Sequence, residues 1–106
     1  MESVSRTELM QRLKDKTVIL LDVRPEDEFA LGHIPGARNV PVSRLKRHIS
    51  KLDRKVEVVA YCRGPYCIMS FEAVAFLRKQ GFKVRRLEDG LPEWKAAGLQ
   101  VELPRH

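Results

Sequence analysis

The segment 56–81, VEVVAYCRGPYCIMSFEAVAFLRKQG, restricts the folds open to this chain more than any other stretch. Residues 56–61 are rich in β-branched side chains and predict a buried strand. The strand runs directly into Cys62, and a short loop follows: Arg63, Gly64, Pro65, Tyr66 and Cys67. An apolar helix is predicted over 68–80, with Gly81 as its C-terminal stop. A sulfur at the end of a strand therefore faces a loop that opens a helix. Backbone N–H groups in such a loop can point at an anion, and the helix dipole helps to hold it.

A strand and helix in this order call for partners, and the rest of the chain supplies them. Ser5 reads as an N-cap with Glu8 three residues on, and Leu9, Met10 and Leu13 carry helical spacing. Residues 17–22, TVILLD, form a nearly continuous apolar run suited to a strand buried on both faces of a parallel sheet. Asp22, Val23 and Arg24 fall at its C-terminal end. Pro25 opens a short helix that Gly32 closes, and 33–37 is a turn-rich loop before a short strand at 38–40. Ser43 is expected to cap a helix over 44–49, with Leu45, Ile49 and Leu52 on its core face. Residues 83–87 predict a further strand, 88–90 a turn, and Pro92 the start of a last helix carrying Trp94 and ending at Gly98.

This alternation predicts an α/β fold with a central, mainly parallel sheet flanked by helices on both faces. Ligands bind such sheets outside the carboxyl ends of the strands. Cys62, Asp22, Arg24 and the 88–90 turn all belong to that edge. The 106 residues are expected to make one domain, 1–106, with its core at about 5–101. The tail from Glu102 onward is expected to fray.

Composition removes several function classes. No apolar stretch is long enough to span a membrane as a helix. The start, MESVSRTELMQRLKDK, is too polar for a signal peptide, so the cytoplasm is the expected compartment. Two cysteines cannot complete a zinc site, and no metal or organic cofactor is expected. The net charge of +6 favours anionic partners. Between 44 and 55, Arg44, Lys46, Arg47, Lys51, Arg54 and Lys55 face only Asp53. This reads as a solvated basic face. It could dock an acidic protein partner, but it lacks the interleaved aromatics of a nucleic-acid surface.

The chemistry centres on Cys62. A thiol becomes a nucleophile when it ionises, and a helix N-terminus with a neighbouring cation favours the thiolate. Arg63 supplies the cation, Gly64 the tight turn and Pro65 a fixed dihedral. The same surroundings would hold a persulfide, whose outer sulfur is anionic.

Set together, these pieces resemble a known family. Leu21-Asp22-Val23-Arg24, Glu28-Phe29, Gly32-His33-Ile34-Pro35-Gly36-Ala37, Asn39-Val40-Pro41, Tyr61-Cys62-Arg63, and Asp89-Gly90-Leu91 with Trp94 and Gly98 occur in the order seen in single-domain rhodaneses. The resemblance implies a rhodanese-like α/β fold and a sulfurtransferase. In that cycle a donor such as thiosulfate leaves a persulfide on Cys62, and cyanide or a thiol removes it. It also implies that Asp22 and Arg24 form a charge-assisted pair or cap loops near the site rather than touch substrate. His33 lies in a loop whose Pro and Gly suggest a fixed turn, and a hydrogen bond that pins this loop is expected of it rather than an acid–base role.

The loop departs from the common pattern Cys-Arg-x-Gly-x-Arg-Ser. Cys67 and Ile68 occupy the last two places, and the glycine comes one residue early, at Gly64. Anion binding is then left to the backbone and Arg63, with Tyr66 as a lid over the sulfur. This variant resembles rhodanese domains attached to ArsR-type winged-helix regulators, where any contact with nucleic acid would come from a separate domain. Cys67 either resolves an oxidised or sulfurated Cys62 into an intraloop disulfide or packs as an inert cysteine at the helix start. Three other functions compete with this one. A cysteine phosphatase or arsenate reductase needs an arginine where Ile68 stands. A sulfide- or redox-sensing module would use Cys62 and Cys67 without turnover. An inert binding domain has no use for Cys62.

Overall fold

A computed structural model describes residues 3–64 and 67–103. Five strands form one sheet in the order β1-β5-β4-β2-β3, and every pairing is parallel. They are β1 (Ser3–Val4), β2 (Val18–Asp22), β3 (Arg38–Asn39), β4 (Glu57–Tyr61) and β5 (Val84–Leu87). The helices are α1 (Arg6–Lys14), α2 (Glu26–Ala30), α3 (Leu45–His48), α4 (Ile68–Lys79) and α5 (Leu91–Ala96).

The apolar runs in β2 and β4 are continuous because both faces of the sheet are covered. Ile19, Leu21, Val58 and Ala60 pack with Leu45 of α3 and Ala73, Val74 and Leu77 of α4. The alternate residues Leu20, Val59 and Tyr61 pack on the opposite face with Leu9 of α1 and Leu91 and Trp94 of α5. Ser70, Ala73, Val74 and Leu77 are buried at helical spacing, which seats α4 along one stripe. Gly81, at φ +90°, ends that helix in a conformation that side chains resist.

Five local expectations change. Ser43 caps no helix: it lies inside a 3-10 turn, Val42–Arg44, that leads into a four-residue α3. Tight turns at both ends of α3 replace the single helix expected there, yet they still bury Leu45 and Leu52. Met10 is 45% exposed, because one face of α1 suffices for Leu9 and the half-buried Leu13. Strand β1 was not anticipated, since two residues carry no readable period. Glu102 is not frayed. Its N–H donates to His33 O and its carbonyl accepts from His33 N, at 2.8 and 3.0 Å, and its carboxylate accepts from Gly36 N. Among the described residues, no helix is long and apolar enough to cross a membrane.

A charge cluster ties α1 to the sheet. Arg85 of β5 donates to Glu57 of β4 (3.0 Å) and to Glu8 of α1 (2.7 Å), and Arg12 pairs with the same Glu57. Burial pushes the Glu57 carboxyl upward, but Arg85 and Arg12 override it and hold it below its ordinary value. With the folded value depressed, the unfolded chain takes up this proton first as pH falls. The contribution is therefore complete above the unfolded carboxylate range and lost as pH drops through the folded value. Glu57→Gln is expected to flatten the acid limb of stability against pH, below about pH 5, by less than about one proton. Urea unfolding at a series of pH values measures it, and an unchanged slope would contradict the assignment.

Candidate active site

The carboxyl ends of β2 and β4 meet at the residue pair Asp22 and Tyr61, which are register partners. Asp22 is fully buried and Arg24 is 4% exposed. The Arg24 guanidinium donates to both Asp22 oxygens, with Nη2 to Oδ2 at 2.6 Å, and its backbone N–H donates to Oδ1 at 3.0 Å. The Tyr61 hydroxyl donates to Oδ2 at 2.7 Å and accepts from Ile34 N at 3.0 Å. Arg24 also donates to Gly32 O at 2.8 Å. Burial works against the charge on Arg24, and Asp22 more than offsets it, so its pKa stands above the ordinary value. Burial and the Asp22 charge together push the Tyr61 phenol up, which keeps it a neutral donor. Asp22 and Arg24 thus form the expected charge-assisted pair, a brace behind the site.

His33 is likewise structural in its contacts. Its ring stacks on Phe29 with centroids 3.7 Å apart, and Nδ1 lies 3.2 Å from Phe29 O. Trp94 is buried and donates from Nε1 to Gln100 O at 2.8 Å.

Cys62 directly follows β4 and is 1% exposed. Its carbonyl accepts from Leu91 N, the first residue of α5, at 3.3 Å. The carbonyl of Tyr61 accepts from Val23 N at 3.1 Å. Two neighbouring segments therefore hold the backbone on either side of the sulfur. At the far end of the loop, Cys67 is the N-cap residue of α4. Its N–H donates to Gly64 O, and its carbonyl accepts from Ser70 Oγ at 2.9 Å. The Cys62 and Cys67 sulfurs are joined as a disulfide, with Cα atoms 6.1 Å apart. The expected roles of Pro65 and of Tyr66 as a lid lie outside the described residues.

Arg63 differs from the free anion-binding cation expected of it. Its guanidinium forms a fork with Glu28 of α2, Nε to Oε1 at 2.7 Å. Arg63 holds the Glu28 carboxyl below its usual range, and Glu28 in turn raises Arg63. A cavity of about 270 Å³ opens beside this pair, lined by Arg24, Glu28, Arg63, Leu91, Pro92 and Lys95. Its lining is mostly apolar; Arg24 there is paired with Asp22 and Arg63 with Glu28, which leaves the Lys95 ammonium as the excess charge. On the other side, Val23, Pro25, Pro41, Val42, Ser43 and Met69 line a mostly apolar cavity of about 250 Å³.

Two contributors escape sequence reasoning. Glu28 was legible only as part of a motif, not as the partner of Arg63. Gly90 packs against the backbone of Arg63 and Gly64 so closely that a Cβ there would overlap Gly64 N and Cα. The only signal for that contact was a glycine in a turn. Among the described residues, no group of three or more His, Cys, Asp or Glu side chains could hold a metal ion.

Residues 5–97 match the family model described as a rhodanese-like domain. The chain is 45% identical over 101 residues to the HTH-type transcriptional regulator Rv0324 of Mycobacterium tuberculosis. That alignment covers 95% of this chain but 45% of the regulator, so this chain spans less than half of that protein's length. It is 36% identical over 98 residues to a sulfurtransferase of Allochromatium vinosum, covering 91% and 90% of the two chains. Among solved structures, a rhodanese-related protein from Thermoplasma volcanium superposes with a TM-score of 0.85 at 28% identity, over 98% of this chain and all of that one. The matched region contains strands β2 to β5 of the parallel sheet, the buried Asp22–Arg24 brace and both cysteines, and on that match the chain belongs to the rhodanese-like domain family.

Proposed function

We propose that this domain is a sulfurtransferase that carries sulfane sulfur as a persulfide on Cys62. The observation that carries the reading is the placement of Cys62. It stands at the carboxyl end of a central strand, held by Leu91 N–H, and its neighbours Arg63 and Leu91 line a small cavity together with Glu28 and Lys95. The name of the Allochromatium relative supports the same class of reaction.

In the loading step the reduced Cys62 thiolate attacks the outer sulfur of a donor such as thiosulfate. A new S–S bond forms, the donor's S–S bond breaks, and sulfite leaves with the electron pair. The persulfide then passes its outer sulfur to a thiophilic acceptor, cyanide or a thiol, and the Cys62 thiolate returns. Lys95 supplies positive charge for the anionic donor, with Arg63 shared between the donor and Glu28. The dithiol form needed for loading is the one that a reducing compartment such as the cytoplasm maintains. Phosphatase or arsenate reductase chemistry is disfavoured, because Ile68 stands where the clamping cation is needed and is 68% exposed.

The test uses reduced protein. Cys67→Ser exposed to thiosulfate is expected to gain about 32 Da, a gain that cyanide reverses. Adding Cys62→Ser is expected to abolish both the gain and the formation of thiocyanate. Loading that persists without Cys62 would overturn the assignment. A second reading, a sulfide- or redox-sensing module of a longer regulator, draws on the likeness to the HTH-type regulator and on the paired cysteines. Under that reading the protein reacts once and releases no thiocyanate repeatedly.

A further inference from the structure

We propose that Cys67 is a second nucleophile, which attacks the inner sulfur of a Cys62 persulfide, closes the Cys62–Cys67 disulfide and expels hydrosulfide. This rests on the persulfide reading above and extends it to a sulfide-releasing activity with a dithiol as the ultimate acceptor.

The geometry singles out the inner sulfur. Cys67 meets Cys62 at its own Sγ, the atom that becomes the inner sulfur once a second sulfur is added. The Cα separation of 6.1 Å lies within the span that disulfides ordinarily bridge. Both ends of the loop are fixed from outside it: Cys62 by β4 and Leu91 N–H, Cys67 by its place at the start of α4 and by Ser70. Closing the bond therefore needs no large rearrangement of either element. Cys67 is also partly exposed whereas Cys62 is buried, so a reductant reaches the pair from the Cys67 side.

The step balances without an external oxidant. The persulfide anion on Cys62 and the Cys67 thiol become the disulfide and hydrosulfide, and the thiol proton leaves with the departing sulfur. The outer sulfur is reduced by two electrons, and the two cysteines together are oxidised by two. A dithiol then reduces the protein disulfide and is itself oxidised to a disulfide, which restores both thiols. Sulfur transfer to an acceptor competes with this internal discharge.

The experiment uses the full chain, reduced by a phosphine, desalted under anaerobic conditions and mixed with thiosulfate alone. The wild type is expected to release about one equivalent of hydrosulfide and to end about 2 Da lighter than the dithiol form. Cys67→Ser and Cys67→Ala are expected to release at least about tenfold less and to keep about 32 Da of added sulfur on Cys62. Wild-type protein that keeps the added sulfur and releases no hydrosulfide overturns the inference while the persulfide reading stands. Absence of added sulfur on the Cys67 variants, with no hydrosulfide from the wild type, overturns both.

Discussion

Asp22→Ala is expected to destabilise the domain by about 3–5 kcal/mol, the cost of leaving a buried charge without its partner. Asp22 is the acceptor for the Arg24 guanidinium, the Arg24 backbone N–H and the Tyr61 hydroxyl, all in a region closed to water. Removing it orphans three donors at once, one of them charged. A domain of this size has about 5–15 kcal/mol of total stability, so the loss is a large share of it. The double substitution Asp22→Ala/Arg24→Met is expected to be more stable than Asp22→Ala alone. It removes the uncompensated charge and gives up the hydrogen bond to Gly32, a smaller term. Urea unfolding of the three proteins settles the matter. A cost below about 1 kcal/mol for Asp22→Ala, or a double variant weaker than the single, would refute the brace.

Where local chemistry decides conformation, the sequence was legible. Ser5 accepts from Glu8 N as a capping residue does, at 3.1 Å, and Gly81 ends α4 with the positive φ a glycine allows. Continuous apolar runs in β2 and β4 told of a sheet covered on both faces, because amphipathic alternation would have been needed otherwise. Spacing could not report contacts between segments far apart in sequence. The Tyr61 hydroxyl reaches Asp22 only because β2 and β4 are paired in one register. Arg63 finds Glu28 across 35 residues, which turns an expected free cation into half of an ion pair. Glu102 looked like a loose tail and is held by His33, 69 positions earlier, through a pairing with no periodicity to announce it. Ser43 shows the opposite failure: its residue type suits a cap, but the chain turns there in a 3-10 geometry that needs none. The order of strand, cysteine and helix around Cys62 was readable because these pieces are contiguous.

Gly90→Ala is expected to slow sulfur loading of Cys62 by about a hundredfold, the scale reached when a reacting group is misplaced by about 1 Å. The backbone at Gly90 is extended, with φ −97° and ψ −173°, so alanine adopts it without conformational strain. The obstacle is steric. The added methyl would overlap the main chain between Arg63 and Gly64, and backbone atoms cannot rotate away as a side-chain tip can. Either the loop or the start of α5 must move. Both choices disturb the sulfur, since α5 holds Cys62 through Leu91 N–H and the loop begins at Cys62 itself. The stability cost is expected to be smaller in consequence, about 1–3 kcal/mol as for other overpacked sites. Gly90→Val is expected to be worse on both counts. The comparison to make is the rate of persulfide formation in a Cys67→Ser background against the unfolding free energy of the same proteins. A Gly90→Ala protein that loads at the parent rate would mean that the loop accommodates the methyl and that the contact between turn and loop does not position the sulfur. A rate that falls while the fold holds would identify Gly90 as the residue that sets the loop's height over the sheet edge, a role open only to a residue without a side chain.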